Sequence, residues 1–298
     1  MNQTQINTFY NLTITKIEPV KDVYKLHTKQ NGILCLKCYN TSSADMDFIA
    51  QVFTHLKNKD YPYAPIIFPT RTDTSWFRIK DTYYMLTNWV NGVSPNFNHR
   101  RAIKKAVIAL AKFHQYAEGL PKEIIPPSRQ HLHKLSEKIA LYKQILETKL
   151  STNEAKPLLD LCDQASFYLR DEQSVTALQQ EAAAGAFTHG DYNYPNLVKY
   201  NHHLYLIDFE NCRHLTRMTD LSHILHRNFA WNGSTTLRFI DYYENYRPLP
   251  REHRHLLAAL LHIPYPVIRD LNLKRQTAIR LPSTYQIDKY VRYLKRLL

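Results

Sequence analysis

The sequence predicts an α+β protein, with a small β-rich lobe over residues 1–90 and a larger, mainly helical lobe over 91–298. Three observations carry this expectation. Two alternating apolar runs, 23–28 and 33–39, flank Asn31-Gly32, a strong hairpin signal. From residue 102 onward, apolar side chains recur at steps of three and four, the helical period. Within that helical half, two short apolar runs each end in an aspartate, Asp191 and Asp208, which reads as a β insert.

Taken in order, residues 9–40 read as strands. Thr41-Ser42-Ser43 then opens a helix over 44–56, with Met46, Ile49, Val52, Phe53 and Leu56 on one face. Pro62, Pro65 and Pro69 break the chain before two further strands, 75–79 and 82–87. The division between lobes falls near Asn91. Helices are expected over 102–118, from Leu132 to Leu146, and over 154–169, 217–229, 234–246 and 251–261. A last helix starts at Ser283, whose pairing with Gln286 forms a capping box.

The composition sets limits. With 298 residues, 44% of them hydrophobic, the chain can build substantial cores. A net charge of +13 favours polyanions, anionic surfaces or phosphorylated small molecules as partners. No apolar run approaches the roughly 18 residues of a membrane span, and residues 1–16 lack a signal-peptide layout, so a cytoplasmic location is expected. Four cysteines are too few for a disulfide framework. The chain lacks a nucleic-acid-binding motif, so no specific nucleic acid is expected as a partner.

The chemistry concentrates between Phe187 and Glu210. Phosphoryl transfer needs a carboxylate to accept the proton of the attacking hydroxyl. It also needs oxygen donors for a cation that neutralises the phosphates. Asp191 is the candidate base. Asp208 and Asn196 are the candidate magnesium ligands, offering the hard oxygens that this cation takes. His189 is expected to brace the loop rather than to move protons. A lone aspartate in a loop reads better as a turn or cap; together these residues share a spacing and a strand context.

These residues carry a resemblance. HGDYNYPN followed by LYLIDFEN resembles the aminoglycoside phosphotransferase and choline kinase superfamily, and the overall layout is most similar to its CotS-type spore coat proteins. The resemblance spans about residues 10–265 and implies a protein-kinase-like two-lobed fold, ATP and Mg2+ as cofactors, and transfer to a hydroxyl. By the same resemblance, Lys37 in ILCLKCY contacts the nucleotide's α- and β-phosphates. YYMLTNWVNG resembles the hinge between lobes, and ALAKFH the leucine-histidine helix. Asp220 becomes the buried aspartate that steadies the catalytic loop. The alternative reading of Lys37 is an ordinary lysine on an exposed strand face.

Two features depart from that pattern. The turn over 18–23 that would cover the phosphates has no glycine, and no glutamate lies in 41–60 to pair with Lys37. Asp45 or Asp47 would substitute only on a rotated or shifted helix. These gaps motivate a rival reading, a structural spore coat component that kept the fold and lost the activity. The substrate is not legible. The positive charge argues against polycationic aminoglycosides and for a sugar, a phosphorylated metabolite or a coat component.

Other candidates are weaker. Cys35 and Cys38, three apart on a strand, point to opposite faces and make a poor metal pair. His202, His203, His223 and His226 read as part of a scattered surface population of 15 histidines. The C-terminal helix carries Lys289, Arg292, Lys295 and Arg296 largely off its apolar face. It would either dock on the protein's own helices or meet an anionic surface.

Overall fold

A computed structural model describes residues 2–273 and 281–298. A short N-terminal helix, α1 (Gln3–Phe9), precedes an antiparallel sheet of β1 (Ile14–Val20), β2 (Val23–Thr28), β3 (Gly32–Tyr39), β4 (Phe77–Ile79) and β5 (Thr82–Asn88), with one helix, α2 (Ser43–Asn58), inserted. The sheet order is β1-β2-β3-β5-β4. The remainder is helical: α3 (Arg100–Tyr116), α4 (Leu135–Lys149), α5 (Thr152–Arg170), α6 (Glu172–Ala183), α7 (Met218–Phe229), α8 (Gly233–Glu244), α9 (Arg251–His262), α10 (Tyr265–Asn272) and α11 (Thr284–Leu294). A two-stranded ribbon, β6 (Leu197–Tyr200) and β7 (His203–Leu206), interrupts the helices. The fold is α+β and kinase-like.

Two compact units result. The first comprises residues 1–95, 120–129 and 194–212; the second comprises 96–119, 130–193 and 213–298. The sequence places a single division near Asn91, and in the structure two later segments return to the first unit. Backbone pairing explains the second of these returns. Val93 pairs with Lys199 in β6, and the Leu206 N–H of β7 donates to the Tyr63 carbonyl at 2.7 Å. Gly92 makes the approach possible: its φ is +135°, and a Cβ there would lie 2.3 Å from the Lys199 carbonyl oxygen.

The first unit is built on the sheet. Ile6 of α1 packs with Leu12, Ile14, Leu26, Leu34, Leu36, Phe77 and Leu86 in one apolar cluster. An Asn2–Gln5 capping box starts α1, a helix that the sequence reading left out. The strand expected over 75–79 is shorter. Thr70 and Thr74 close a turn through backbone and hydroxyl bonds, so Ser75 and Trp76 lie outside the ladder.

The second unit is helix on helix. The apolar face of α3, with Ile103, Val107, Leu110 and Phe113, is buried. Asp171 ends α5 and also caps α6, its side chain accepting the Gln173 N–H at 3.0 Å. The boundary between these two helices is a single residue, and α6 escaped the sequence reading for that reason. Helix α11 docks on its own unit: Ile287, Tyr290 and Leu294 are buried, and Tyr290 Oη donates to the Leu261 carbonyl at 3.2 Å. Lys289 and Arg292 on it, and Lys295 and Arg296 just past its end, are exposed.

The histidines correct an expectation. His202 and His203 are exposed as expected, whereas His114, His189, His214, His226, His253, His255 and His262 are buried. Several satisfy buried acceptors. His262 Nδ1 lies 2.7 Å from the Ala258 carbonyl, and His253 Nε2 lies 3.1 Å from Glu181 Oε1.

Glu181 is the most consequential buried charge of the second unit. It is fully buried and accepts from the Arg217 backbone N–H at 2.7 Å and from the Arg217 guanidinium at 2.6 Å. Burial pushes its pKa up, and His253 and Arg217 more than reverse this, leaving it below the ordinary value of 4.5. The carboxylate therefore contributes stability above pH 4.5 that is lost as the pH falls. Glu181→Gln should destabilise the protein by up to about 3–5 kcal/mol, because Arg217 would stay buried with only the more exposed Glu118 as counter-charge. Urea unfolding at pH 7 measures the loss. At pH 3 the difference between variant and wild type should shrink.

Candidate active site

The residues singled out from the sequence divide between the units. Lys37, Asn196 and Asp208 belong to the first; His189, Asp191 and Asp220 belong to the second.

Lys37 sits on β3, in register with Val23 of β2 and Met85 of β5. Its residue is only 8% exposed, which removes the reading of an ordinary surface lysine. The ammonium pairs with Asp208 Oδ1, lies 2.9 Å from Glu210 Oε2 and lies 3.9 Å from Asp22 Oδ2. Burial would push its pKa down; Asp208 and Glu210 overcome that and hold it above the ordinary lysine value. The counter-charge missing from α2 is therefore supplied from the segment after β7. Glu210 lies only two residues past Asp208, a signal available in the sequence.

Neither aspartate of α2 serves Lys37. Asp45 accepts from Ser128 and from Arg129 Nε, each at 2.7 Å, and also from Thr41 at 2.7 Å. Burial raises the Asp45 pKa, and the Ser128, Arg129 and Thr41 bonds reverse this and hold the carboxyl well below its usual range. Asp47 accepts from Trp76 Nε1 at 2.8 Å. Arg129 adds a second tie, donating to the Glu210 carbonyl at 2.6 Å and the Cys212 carbonyl at 3.1 Å. One guanidinium thus joins α2 to the Asp208–Cys212 segment. Nothing in the proline-rich stretch around Arg129 announces this.

The ribbon positions the two candidate metal ligands. Leu197 pairs with Leu206, and the Asn196 carbonyl accepts the Ile207 N–H at 3.0 Å. This bond holds the residue before β6 beside the residue before Asp208. Asp208 adopts a left-handed backbone, φ +66°, a conformation that aspartate tolerates better than most residues. Phe209 is buried and meets Phe53 of α2 with ring centroids 4.9 Å apart. The donor set is one carboxylate and one amide oxygen. That suits Mg2+, which binds few protein oxygens and keeps waters and phosphate oxygens for the remainder.

The turn before β2 shows what replaced the glycines. Val20 pairs with Val23, so Lys21 and Asp22 form a two-residue loop, with Lys21 left-handed at φ +54°. An acidic side chain stands at this turn.

In the second unit Asp220, fully buried on α7, accepts the backbone N–H of His189 at 2.8 Å and of Gly190 at 3.0 Å. Gly190 has φ +81°, which a side chain would resist. His114 Nε2 lies 3.5 Å from the same carboxylate, and its Nδ1 lies 2.7 Å from Tyr243 Oη. Burial pushes His114 down to about 4, so this histidine is neutral at pH 7. Burial also pushes Asp220 up, and the bonds from His114 and His189 outweigh it, leaving the group below its ordinary value. His189 is buried and its Nδ1 accepts the Asp191 N–H at 3.3 Å. The loop that presents Asp191 is therefore pinned by one carboxylate and one imidazole.

Asp191 itself is partly exposed, and its Oδ1 accepts from both terminal nitrogens of Arg227 at 3.0 Å. The sequence reading did not single out Arg227. It lies on the helix carrying Asp220, two turns further on, and only the fold turns it toward Asp191.

Asp220→Asn keeps the size of the side chain and replaces one acceptor by a donor that faces a backbone N–H. The expected cost is about 1–3 kcal/mol. Hydrogen exchange should show the His189 and Gly190 amides losing protection by more than the global destabilisation explains. Equal losses throughout the helices would contradict the pinning role.

The sequence profile of the phosphotransferase enzyme family matches residues 20–256. No curated protein sequence matches the chain. Among solved structures, an aminoglycoside phosphotransferase from Alicyclobacillus acidocaldarius aligns with a TM-score of 0.77 at 18% identity, covering 100% of this chain and 95% of that one. A microcompartment-associated aminopropanol kinase aligns at 0.66 and 14%, covering 98% and 93%. The amicoumacin kinase hAmiN, in complex with AMP-PNP, Ca2+ and Ami, aligns at 0.63 and 15%, covering 99% and 91%. At these identities the structures share a fold with this chain. The family match covers far more than half of the sequence, and on it the chain belongs to the phosphotransferase enzyme family.

Proposed function

We propose that the protein is an ATP- and Mg2+-dependent phosphotransferase acting on a hydroxyl of a small molecule or of a spore coat component. The observation that carries this reading is the buried Lys37–Asp208 pair. Burying an ammonium is costly without a counter-charge, and a lysine serving only as surface charge has no reason to be there. The family membership and the amicoumacin kinase solved with AMP-PNP and Ca2+ point the same way.

In this reading Asp191 accepts the proton of the acceptor hydroxyl. Lys37 binds nucleotide phosphate oxygens, exchanging carboxylate partners for them. Asn196 and Asp208 would hold Mg2+, which supplies charge neutralisation on the phosphates. Asp220 and His189 keep the Asp191 loop in one conformation, so that proton transfer costs no reordering. The likeness in layout to CotS-type proteins supports a place in the spore coat or the cytoplasm.

A second reading has its own observation. Three carboxylates already surround Lys37, and one of them, Asp22, stands at a turn where kinases place backbone N–H groups for phosphate. Such a site disfavours a polyphosphate. A kinase-fold protein that is a structural coat component would keep these pairs as fixed ion pairs.

Nucleotide binding separates the two. With millimolar MgATP the melting temperature should rise, and Asp208→Ala should abolish the rise. Asp191→Asn should keep the rise and lose phosphoryl transfer by at least about 100-fold. A wild type that melts at the same temperature with and without MgATP would favour the structural reading.

A further inference from the structure

Arg129 makes two kinds of contact within the first unit. Pro126 and Pro127 lead into a short helical turn that ends at Arg129, and the Arg129 N–H closes it on the Pro126 carbonyl at 2.8 Å. Proline fixes its own φ, so this turn holds its shape with little loss of backbone freedom. It aims two consecutive side chains at one oxygen: Ser128 Oγ and Arg129 Nε each donate to Asp45 Oδ1 at 2.7 Å. The hydroxyls of Thr41 and Ser42 donate to Asp45 Oδ2 at 2.7 and 3.0 Å. Asp45 is thereby a fixed anchor on α2. The far side of the guanidinium reaches elsewhere, with Nη1 donating to the carbonyls of Glu210 and Cys212.

The segment it reaches carries the anions that surround Lys37. Its entry is held on the ribbon by the bond from the Ile207 N–H to the Asn196 carbonyl, and its exit is closed by the Cys212 N–H on the Phe209 carbonyl at 3.0 Å. Between them Asp208 has a left-handed backbone, φ +66°, which persists only where the surrounding structure over-determines it. Buried Phe209 meets Phe53, which lies about 12 Å along α2 from Asp45. Helix α2 thus contacts the segment at two separated points, one apolar and one ionic through Arg129. The side chains of Asp45 and Arg129 are only 11% and 12% exposed. An ion pair so far from water adds little stability over apolar side chains of the same size, which points to a use in selecting one geometry.

We infer that Arg129 is a positioning residue for the donor site. It clamps the Asp208–Cys212 turn to α2 in the conformation that presents Asp208 and Glu210 to Lys37. In protein kinases a glutamate on the helix pairs with the strand lysine directly. Here α2 acts on Lys37 through intermediaries: Asp45 holds Arg129, Arg129 holds the Glu210 carbonyl, and the carboxylates of Asp208 and Glu210 meet the lysine. A lysine at 129 would pair with Asp45 or reach the carbonyls, whereas the rigid guanidinium fork does both at once. The role in donor binding rests on the phosphotransferase reading; the clamp itself does not.

Two measurements on the full chain test this. Site-resolved hydrogen exchange without nucleotide reads the clamp. Arg129→Lys and Arg129→Met should each speed exchange at the Cys212 amide by at least about tenfold, while the Ile207 amide and the β2–β3 ladder keep their wild-type protection. Titration calorimetry with MgATP reads the consequence. Both variants should bind at least about tenfold more weakly than wild type, and so should Asp45→Asn. The double variant Asp45→Asn/Arg129→Met should bind no more weakly than Arg129→Met, because the two residues act as one unit. Unchanged exchange at Cys212, or equal acceleration at Cys212, Ile207 and the ladder, overturns the clamp. Wild-type affinity in Arg129→Lys means that a plain charge suffices and overturns the positioning role. If wild type itself binds no MgATP, the phosphotransferase reading fails, and exchange at Cys212 still decides whether Arg129 holds the turn.

Discussion

A buried carboxylate must be given donors, and in the second unit that requirement organises the loop on which the chemistry would depend. Asp220 has no exposure to water, so its charge is carried by the His189 and Gly190 N–H groups and by contact with neutral His114. The donors it needs are backbone groups of the residues just before Asp191. Satisfying Asp220 and fixing the Asp191 loop are thus one event. Helix α3 contributes through His114, α8 through the Tyr243 hydroxyl on that histidine, and α7 through Asp220 itself. Glu181 plays a comparable part elsewhere in the unit, gathering Arg217 and His253 around a second buried charge.

Charge is distributed unevenly, and the unevenness has chemical meaning. The chain as a whole carries +13, yet its one buried lysine in the first unit is surrounded by Asp22, Asp208 and Glu210. Those pairs neutralise the position where a nucleotide's phosphates would need a cation. In the proposed reading, binding of a nucleotide there would depend on displacing carboxylates. In the second unit the candidate base Asp191 is paired with Arg227.

Much of this was legible from residues alone. The Asn31-Gly32 hairpin, the apolar face of α2 and the helical steps from α3 onward follow from periodicities of two and 3.6, which are local properties. Helices α1, α6 and α10 were missed for equally local reasons: α1 has only seven residues, α6 is separated from α5 by a single capping aspartate, and α10 follows α9 across Ile263-Pro264. The histidines were misjudged because composition says nothing of which face a side chain occupies. Burial of His253 and His262 depends on a helix face and on a carboxylate or carbonyl waiting opposite.

Residue order was enough for the fold class and the family, and it picked out the candidates Asp191, Asn196 and Asp208, since these rest on spacing along one continuous stretch and on hydrophobic period. Only the tertiary structure decided which charges meet. Glu210 rather than Asp45 reaches Lys37; Arg129 claims Asp45; and Arg227 holds Asp191. The reason is physical. A side chain's electrostatic partners are set by distances of a few ångströms in space, and those distances exist only once helices far apart in sequence have packed.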